Sequence, residues 1–546
     1  MPAARRWIFP LTIAGVAGLA VLMLGFRLGS TGLWTDESIY AQTAREMARS
    51  GDWITPKLCG GPYLIKPVLY HWMAAVAFHL AGESELAARL PQAAAAALML
   101  TFMLAVTGGF ARNSDSPSTR KGAWLAAAAL LTSPGFIMGA RVAGMDLLLS
   151  AAITLTILCF SRGYSEGGSL RGGWFVASGF FAGLGLLAKG PLGALIPGLV
   201  ILIFLALRGQ VRIAVSRPAR KGALVALLTA AVWYLPVSYL HWERFNRVFW
   251  MANNVTRLHE PVSDHKGPIT FYVPVFLLAF LPWSFPFAVA FARSVKRVVA
   301  QRPTRCAPED LLLLIWFAAP FIFYSAVATK LPGYILPVFP AAALLTAQEW
   351  VREREAPRRR RGGAFRIACA LGVMALPGVA LAVPFLLEYR YALHPLWIWA
   401  YPAATFIVAV PAALSALLRS GRLHPALTTA AGMVFVLGLI RFVVAPVEPY
   451  ESMKSLTLRL VKLGRSGYPV ALAGQHLRGT LFYTDCTIPH PRDMKDLPRP
   501  GPGLPLFCLV KKKFLPGLEE WARGRGLHLQ VLKTTGDLSL AQVSWE

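Results

Sequence analysis

The sequence predicts an all-α polytopic membrane protein of about thirteen transmembrane helices, with a small α/β domain outside the bilayer. Three observations carry that reading. Hydrophobic residues make up 55% of the 546 positions, and the mean hydropathy is +0.51. Apolar runs near the roughly twenty residues that a bilayer core requires recur as far as position 445. From about Glu448 the pattern changes to short alternating runs with turn residues between them.

The apolar runs fall near 8–26, 86–110, 122–140, 143–160, 174–189, 191–208, 222–240, 269–292, 309–328, 334–350, 365–387, 396–418 and 424–445. No small-residue cleavage site follows the first run, so it reads as a retained span and not as a signal peptide. With Arg5-Arg6 inside, every second loop is basic. Those loops hold Arg112, Arg120 and Lys121, then Arg162 and Arg171, then Arg208 to Lys221, Arg293 to Arg305, Arg358 to Arg361, and Arg419 with Arg422. That is the positive-inside pattern. A further span at 66–82 would reverse all of these loops, so that amphipathic stretch reads as a surface helix.

The net charge of +28 raises the question of nucleic acid. Its cations sit in short clusters between apolar runs, which marks topology and contact with membrane lipids, not a nucleic-acid surface.

On this map the first outer loop, residues 27–85, carries the densest chemistry. Leu33-Trp34 bring the chain to the membrane surface. From Asp36 the pattern turns helical, with Ile39, Tyr40, Thr43 and Met47 at three- and four-residue spacing and Glu46 and Arg49 off that face. Asp36 fits an N-cap and Gly51 a stop. Lys66-Pro67 open the second amphipathic run, which contains Tyr70 and Trp72. The domain map is therefore a membrane unit over 1–446 and an outer-face unit over 447–546. In the latter, YPVALAG and GLPLFCLV read as strands and PGLEEWARG as a helix.

Six cysteines are present without metal spacing. Cys159 and Cys369 lie in spans and Cys306 in an inner loop, as small apolar residues. Cys486 and Cys508 both fall in the outer unit, where an oxidising compartment permits a disulfide.

Ionisable residues at membrane depth or at its edge require a partner or a task. The outer face collects Asp36, Glu37 and Asp146 together with Lys66, Lys189, Arg257, Lys330 and Tyr334. A structural ion pair or a snorkelling side chain accounts for any one of them. Such pairs would scatter over both faces, and these gather on one. Lys, Arg and Tyr at the headgroup level suit an anionic group carried on a lipid, and a nearby carboxylate can take a proton or align a hydroxyl.

The strings WTDESIYA, GGPYLIKPVLYHW, GMDLL, LLAKGPL, NNVTRL with HKGPITFYVPVFLLAFLPW, and TKLPGYILPVFP occur in that order. Together they resemble the integral-membrane glycosyltransferases that use polyprenyl-phosphate sugars, the protein O-mannosyltransferase superfamily. Within it the similarity is greatest to the aminoarabinose transferases that modify lipid A. The motifs cover roughly residues 1–350. The resemblance implies a GT-C type fold and an inverting transferase of the bacterial inner membrane, with its site and C-terminal unit on the periplasmic side. The donor it implies is a polyprenyl-phosphate-linked sugar, and the acceptor lipid A or another envelope molecule. Transfer to a protein Ser or Thr stays open as an alternative. A lipid or polysaccharide transporter fits less well, because transporters place such groups near the midplane.

By the same resemblance Asp36 is the central acid, supported by Glu37, and Asp146 is a second outer-loop carboxylate. Lys66, Arg257 and Tyr334 match positions that hold the lipid phosphate, and Lys330 and Lys189 sit in matching motifs. No cofactor is implied. Two departures bear on metal. The relatives carry Glu before the Lys-Pro pair, where this chain has Ile65, and Glu-His where it has Asn253-Asn254. Those are the groups that could ligate zinc. His259 and His265 lie nearby as loop histidines, and no bound metal is expected.

Overall fold

The computed structural model describes residues 15, 17–107, 117–164, 170–255, 267–356, 363–393, 396–418, 423–474, 477–491, 493–501 and 503–545. A helical bundle forms the body, and a four-stranded sheet stands at one end of it. Among the described residues eight helices are long and apolar enough to cross a membrane, or ten if each of two bent pairs is one span. The run at 122–140 bends by 69° between Leu131 and Pro134, and that at 269–292 by 118° between Ala279 and Ser284. Pro134 and Pro282 stand at these breaks; proline lacks the helical N–H donor and disfavours helix in the residue before it. The run at 334–350 is likewise divided, into a 3₁₀ turn Pro332–Val338 and a helix Phe339–Glu355. Of the run at 8–26, residues 8–14 and 16 lie outside the described residues.

Helix α1 spans Thr35–Ser50. Its N-cap is Trp34, not Asp36 as the sequence suggested. Trp34 is extended, and its N–H donates to Glu37 Oε2 at 2.9 Å, so the acid three residues on closes the first turn. Asp36 therefore sits inside the turn. Gly51 ends the helix at φ +67°, where a side chain would be strained, and its N–H returns to Met47 O. The short strands β1 (Lys57–Leu58) and β2 (Gly61–Pro62) pair as a hairpin. Helix α2, Leu69–Ala81, has 13 residues. At about 1.5 Å per residue that is too short to cross a bilayer, which agrees with a surface helix. Helix α3, Glu85–Thr107, is the first long apolar helix after it.

Two further helices carry site residues at their ends. Helix α4 spans Asp146–Gly163 and helix α5 spans Gly172–Lys189. Glycines set the depth of α5. A Cβ on Gly179 would lie 1.9 Å from the Gly222 carbonyl oxygen, and one on Gly183 would lie 2.5 Å from Thr229 Cβ. The α5 backbone thus touches the Arg217–Phe245 helix directly, as small residues allow in membrane bundles. Helix α6, Pro308–Ala326, packs against the helices Leu192–Leu207 and Phe339–Glu355. At the opposite end of the bundle Arg352 is bidentate to Asp310, and Arg293 and Arg297 both bind Glu349. This network ties α6 to its neighbours far from the site.

Beyond the bundle come α7 (Lys454–Arg465), β3 (Val470–Ala473), β4 (Leu506–Lys511), α8 (Leu515–Arg523), β5 (Leu527–Thr535) and β6 (Leu538–Trp545). The sheet order is β3-β4-β6-β5, parallel at β3–β4 and antiparallel elsewhere, with a bulge between Val531 and Lys533. The strands and helix read from the sequence in this region are present. Helix α8 covers a core of Ala471, Cys508, Val510, Leu518, Trp521 and Ala541.

That core corrects the disulfide considered from sequence. Cys508 lies mid-strand between Ala471 and Ala541, fully buried, with its thiol free. Cys486 instead bonds Cys59 in the β1–β2 turn, with Cα atoms 5.5 Å apart.

Candidate active site

The site is built on one buried ion pair. Glu37 is 2% exposed, and both of its oxygens are used. Oε1 accepts from Arg89 Nε at 2.9 Å and from the Ala143 N–H at 2.7 Å. Oε2 accepts from an Arg89 terminal nitrogen and from the Trp34 N–H, each at 2.9 Å. Arg89, on α3, also donates to the carbonyls of Leu28, Thr31 and Gly32 at 2.9–3.0 Å. One guanidinium thus joins the turn at 28–32, the start of α1 and, through Glu37, the approach to α4. A bidentate pair with its remaining donors satisfied is the arrangement that tolerates burial. Glu37, placed in the catalytic set by resemblance, is turned into this knot and holds the start of α1.

Its neighbour points the other way. Asp36 is exposed and makes no hydrogen bond among the described residues. Tyr40, one turn on, lies on the same face. Burial first, then Tyr63, Asp36, Asp146 and Tyr334, hold its phenol well above the usual value. Tyr40 therefore keeps its proton, and it stands within electrostatic reach of two site carboxylates. Behind it His71 is fully buried, edge-on to the rings of Tyr40, Tyr63 and Tyr70. Burial pulls that imidazole down to about 4, so it is neutral at ordinary pH.

Asp146 opens α4 and Lys189 closes α5, and the two form an ion pair. The same ammonium lies 4.0 Å from the centroid of the Tyr334 ring. A Cβ on Gly333 would stand 2.6 Å from Asp146 Oδ2, so the LPGY turn must carry glycine there to lie against the carboxylate. Asp146, Lys189 and Tyr334 form one group, and Tyr40 is within electrostatic reach of both that group and Asp36.

Lys330 departs from the expectation of phosphate binding. It is 5% exposed, and its ammonium donates to the carbonyls of Tyr324, Ser325 and Val327 at 3.1, 2.6 and 2.6 Å. Those carbonyls lie at the end of α6, which a cation caps favourably. Lys330 fixes the approach to the Gly333-Tyr334 turn and has no donor left for a lipid phosphate. Lys66 is half-buried just ahead of α2. Arg257, His259 and His265 lie outside the described residues.

Metal-type donors converge at Glu46, Cys59 and Cys486. The two sulfurs are bonded to each other there, and Glu46 accepts the N–H groups of Cys59 and Gly60 at 2.7 and 3.0 Å. That group is a structural clasp and not a metal centre.

Sequence reading missed Arg89 and Tyr40 as site residues. For Arg89 the signal was present: an arginine in the first turns of an apolar run needs a buried acid nearby.

Comparison with known proteins agrees with this architecture. A family model described as dolichyl-phosphate-mannose-protein mannosyltransferase matches residues 65–235. The undecaprenyl phosphate-alpha-4-amino-4-deoxy-L-arabinose arabinosyl transferase of Yersinia enterocolitica is 29% identical over 61% of this chain. That alignment spans 59% of the Yersinia protein, less than two thirds of its length. The transferase of the same name from Edwardsiella ictaluri is 30% identical, with 70% of this chain and 68% of that protein covered. Among solved structures, ArnT from Cupriavidus metallidurans bound to undecaprenyl phosphate matches with a TM-score of 0.74 at 23% identity, over 99% of this chain and 98% of that one. The chain belongs to the family of undecaprenyl phosphate-aminoarabinose arabinosyl transferases, within the polyprenyl-phosphate-sugar glycosyltransferases.

Proposed function

We propose that the protein is an inverting glycosyltransferase of the bacterial inner membrane. It moves a sugar, 4-amino-4-deoxy-L-arabinose in this reading, from an undecaprenyl-phosphate-type carrier to lipid A on the outer face. The observation that carries the proposal is an exposed Asp36, without a hydrogen bond among the described residues, and an Asp146–Lys189–Tyr334 group, both within electrostatic reach of Tyr40. The names of the relatives supply the substrate class.

The chemistry needs no nucleotide. The acceptor oxygen attacks the anomeric carbon on the face opposite the carrier phosphate, and the bond from that carbon to the phosphate oxygen breaks. Its electron pair stays on the polyprenyl phosphate, where nearby cations and phenols stabilise the growing charge. Lys66, Arg257 and Tyr334 are proposed for that role, with Lys189 paired to Asp146. With a hydroxyl acceptor, the proton passes to Asp36 as general base. With a lipid A phosphate, the acceptor is already anionic. Asp36 then orients the sugar and stabilises positive character at its ring.

A second reading, transfer to a protein Ser or Thr, is favoured by the mannosyltransferase model over 65–235. Purified protein in detergent should be given undecaprenyl-phosphate aminoarabinose with lipid A, and polyprenyl-phosphate mannose with a Ser/Thr peptide. Mass spectrometry should detect the added pentose on lipid A. Mannosylated peptide with unmodified lipid A would overturn the first reading in favour of the second.

In the proposed orientation the basic loops are cytoplasmic, and residues 447–546 form an outer-face unit. A reporter active only outside the cytoplasm should give signal when fused after Glu546, and none when placed at Arg360. The reverse pattern would invert the map.

A further inference from the structure

One face of α1 is devoted to a short segment of the C-terminal unit. Ser38, Gln42, Arg45 and Arg49 recur at four, three and four residues, which aligns them along the helix. Ser38 Oγ accepts the Phe482 N–H at 3.0 Å. Gln42 donates to Asp485 Oδ1 at 3.1 Å, and Arg49 to Asp485 Oδ2 at 2.6 Å. Arg45 donates to the Phe482 carbonyl at 2.7 Å, with its guanidinium 3.7 Å above the Phe482 ring. Glu83, just after α2, pairs with both arginines. Phe482 packs with the bundle, against Phe78 of α2, and not with the core under α8.

The backbone of this segment is held in an uncommon conformation. Asp485 and Cys486 are consecutive non-glycine residues at φ +49° and +54°, and Cys59 across the disulfide is at +51°. Such residues persist only where their surroundings fix them, and they cluster where position matters. Burial alone would raise the Asp485 carboxyl. The hydrogen bonds from Arg49 and Gln42 and the charges of Arg49 and Arg45 outweigh it and hold it below its usual value, so it is an anion.

We propose that residues 482–486, locked to the β1–β2 hairpin by Cys59–Cys486, are a positioning clasp for α1 that sets where Asp36 stands during sugar transfer. This rests on the proposed transferase reading. Asp36 and Tyr40 occupy the site face of α1, and the clasp grips another face of the same rigid helix. None of the clasp residues needs to touch substrate. Loosening the clasp changes the angle of α1 and leaves the lipid-phosphate groups on α5 and the LPGY turn in place.

Four samples of the full-length protein in detergent test this: wild type, Asp485→Ala, Asp485→Asn and a control. Asp485→Ala is expected to lower kcat by about tenfold to a hundredfold, as misplacement by an ångström can, with little change in KM for the lipid donor. Asp485→Asn keeps an acceptor and tolerates the left-handed backbone, so it should recover most of the rate. Amide exchange over 35–50 should accelerate in Asp485→Ala while α8 and β6 stay protected. Glu519→Ala, which removes an exposed pair with Arg523, serves as the control and should match wild type.

Should Asp485→Ala fail to fold, folded wild type treated with a dithiol takes its place. The dithiol gives two electrons and two protons to the Cys59–Cys486 bond and becomes a cyclic disulfide. The same faster exchange over 35–50 and the same fall in kcat are expected. Native exchange and full turnover in well-folded Asp485→Ala, or in reduced wild type, would overturn the clasp. If wild type transfers no sugar at all, the transferase reading fails by itself, and exchange over 35–50 still decides the clasp.

Discussion

Asp36→Asn should lower sugar transfer per folded molecule by about 10²–10⁴, the usual worth of one positioned acid–base group. Asparagine keeps the size of the side chain and one acceptor oxygen but removes the charge. The structure makes this a clean substitution. Asp36 is exposed and makes no hydrogen bond among the described residues, and the start of α1 is held by Glu37 instead. Folding should therefore survive, and the yield and melting temperature of the variant should stay near those of wild type. A purely structural Asp36 predicts the reverse, less folded protein with a normal rate per molecule. Transfer per folded molecule, measured with undecaprenyl-phosphate aminoarabinose, separates the two. A folded variant that keeps most of its rate would move the search to Asp146.

Arg89→Ala should be the most destabilising single change near the site. It strips Glu37 of its ion pair inside the protein and orphans the carbonyls of Leu28, Thr31 and Gly32. Removing one partner of a buried pair typically costs about 3–5 kcal/mol, because the other charge stays buried and unpaired. The expected result is a large fall in the thermal midpoint in detergent, or loss of folded protein in the membrane. Replacing both members, with Arg89→Met and Glu37→Gln, should recover part of the stability, since the uncompensated charge is gone. Activity is expected to recover less than stability, because the Ala143 and Trp34 N–H groups then share a weaker acceptor. A melting temperature of Arg89→Ala equal to that of wild type would show that the pair contributes nothing net.

What could be read from sequence follows from how far each interaction reaches along the chain. Apolar runs of membrane length are local, and most of them became helices within a few residues of the expected bounds. Asp36, Asp146, Lys189 and Tyr334 could be picked out as candidates because each lies in a motif at the end of a helix or in a turn, where a polar group is costly without a task. Partner choice was not legible. Lys66, Lys189 and Lys330 look alike in sequence. Only the fold shows that Lys330 spends its protons on the carbonyls ending α6, while Lys189 faces Asp146 and Tyr334. Glu37 beside Asp36 was equally ambiguous, since its partner is 52 residues away. The same holds for Cys486, whose bond runs to Cys59 in the β1–β2 turn and not to the nearer Cys508. The bends at Pro134 and Pro282 had a local signal, but membrane helices also accommodate proline, and neither bend angle follows from one residue.

The Cys59–Cys486 bond also imposes an order on biogenesis. Its two cysteines are separated by 427 positions. At about 5–20 residues per second, a ribosome needs roughly 20–85 s to travel from one to the other. During that interval the hairpin bearing Cys59 is already made, and its partner does not yet exist. The loop between Ser50 and Leu69 must wait with a free thiol while the intervening helices are made. A nascent chain stalled before position 486 would carry Asp36 on a helix with one face uncovered. Completion of the C-terminal unit is thus the step that finishes the oldest part of the molecule, and products truncated before Cys486 are left with the Cys59 thiol open.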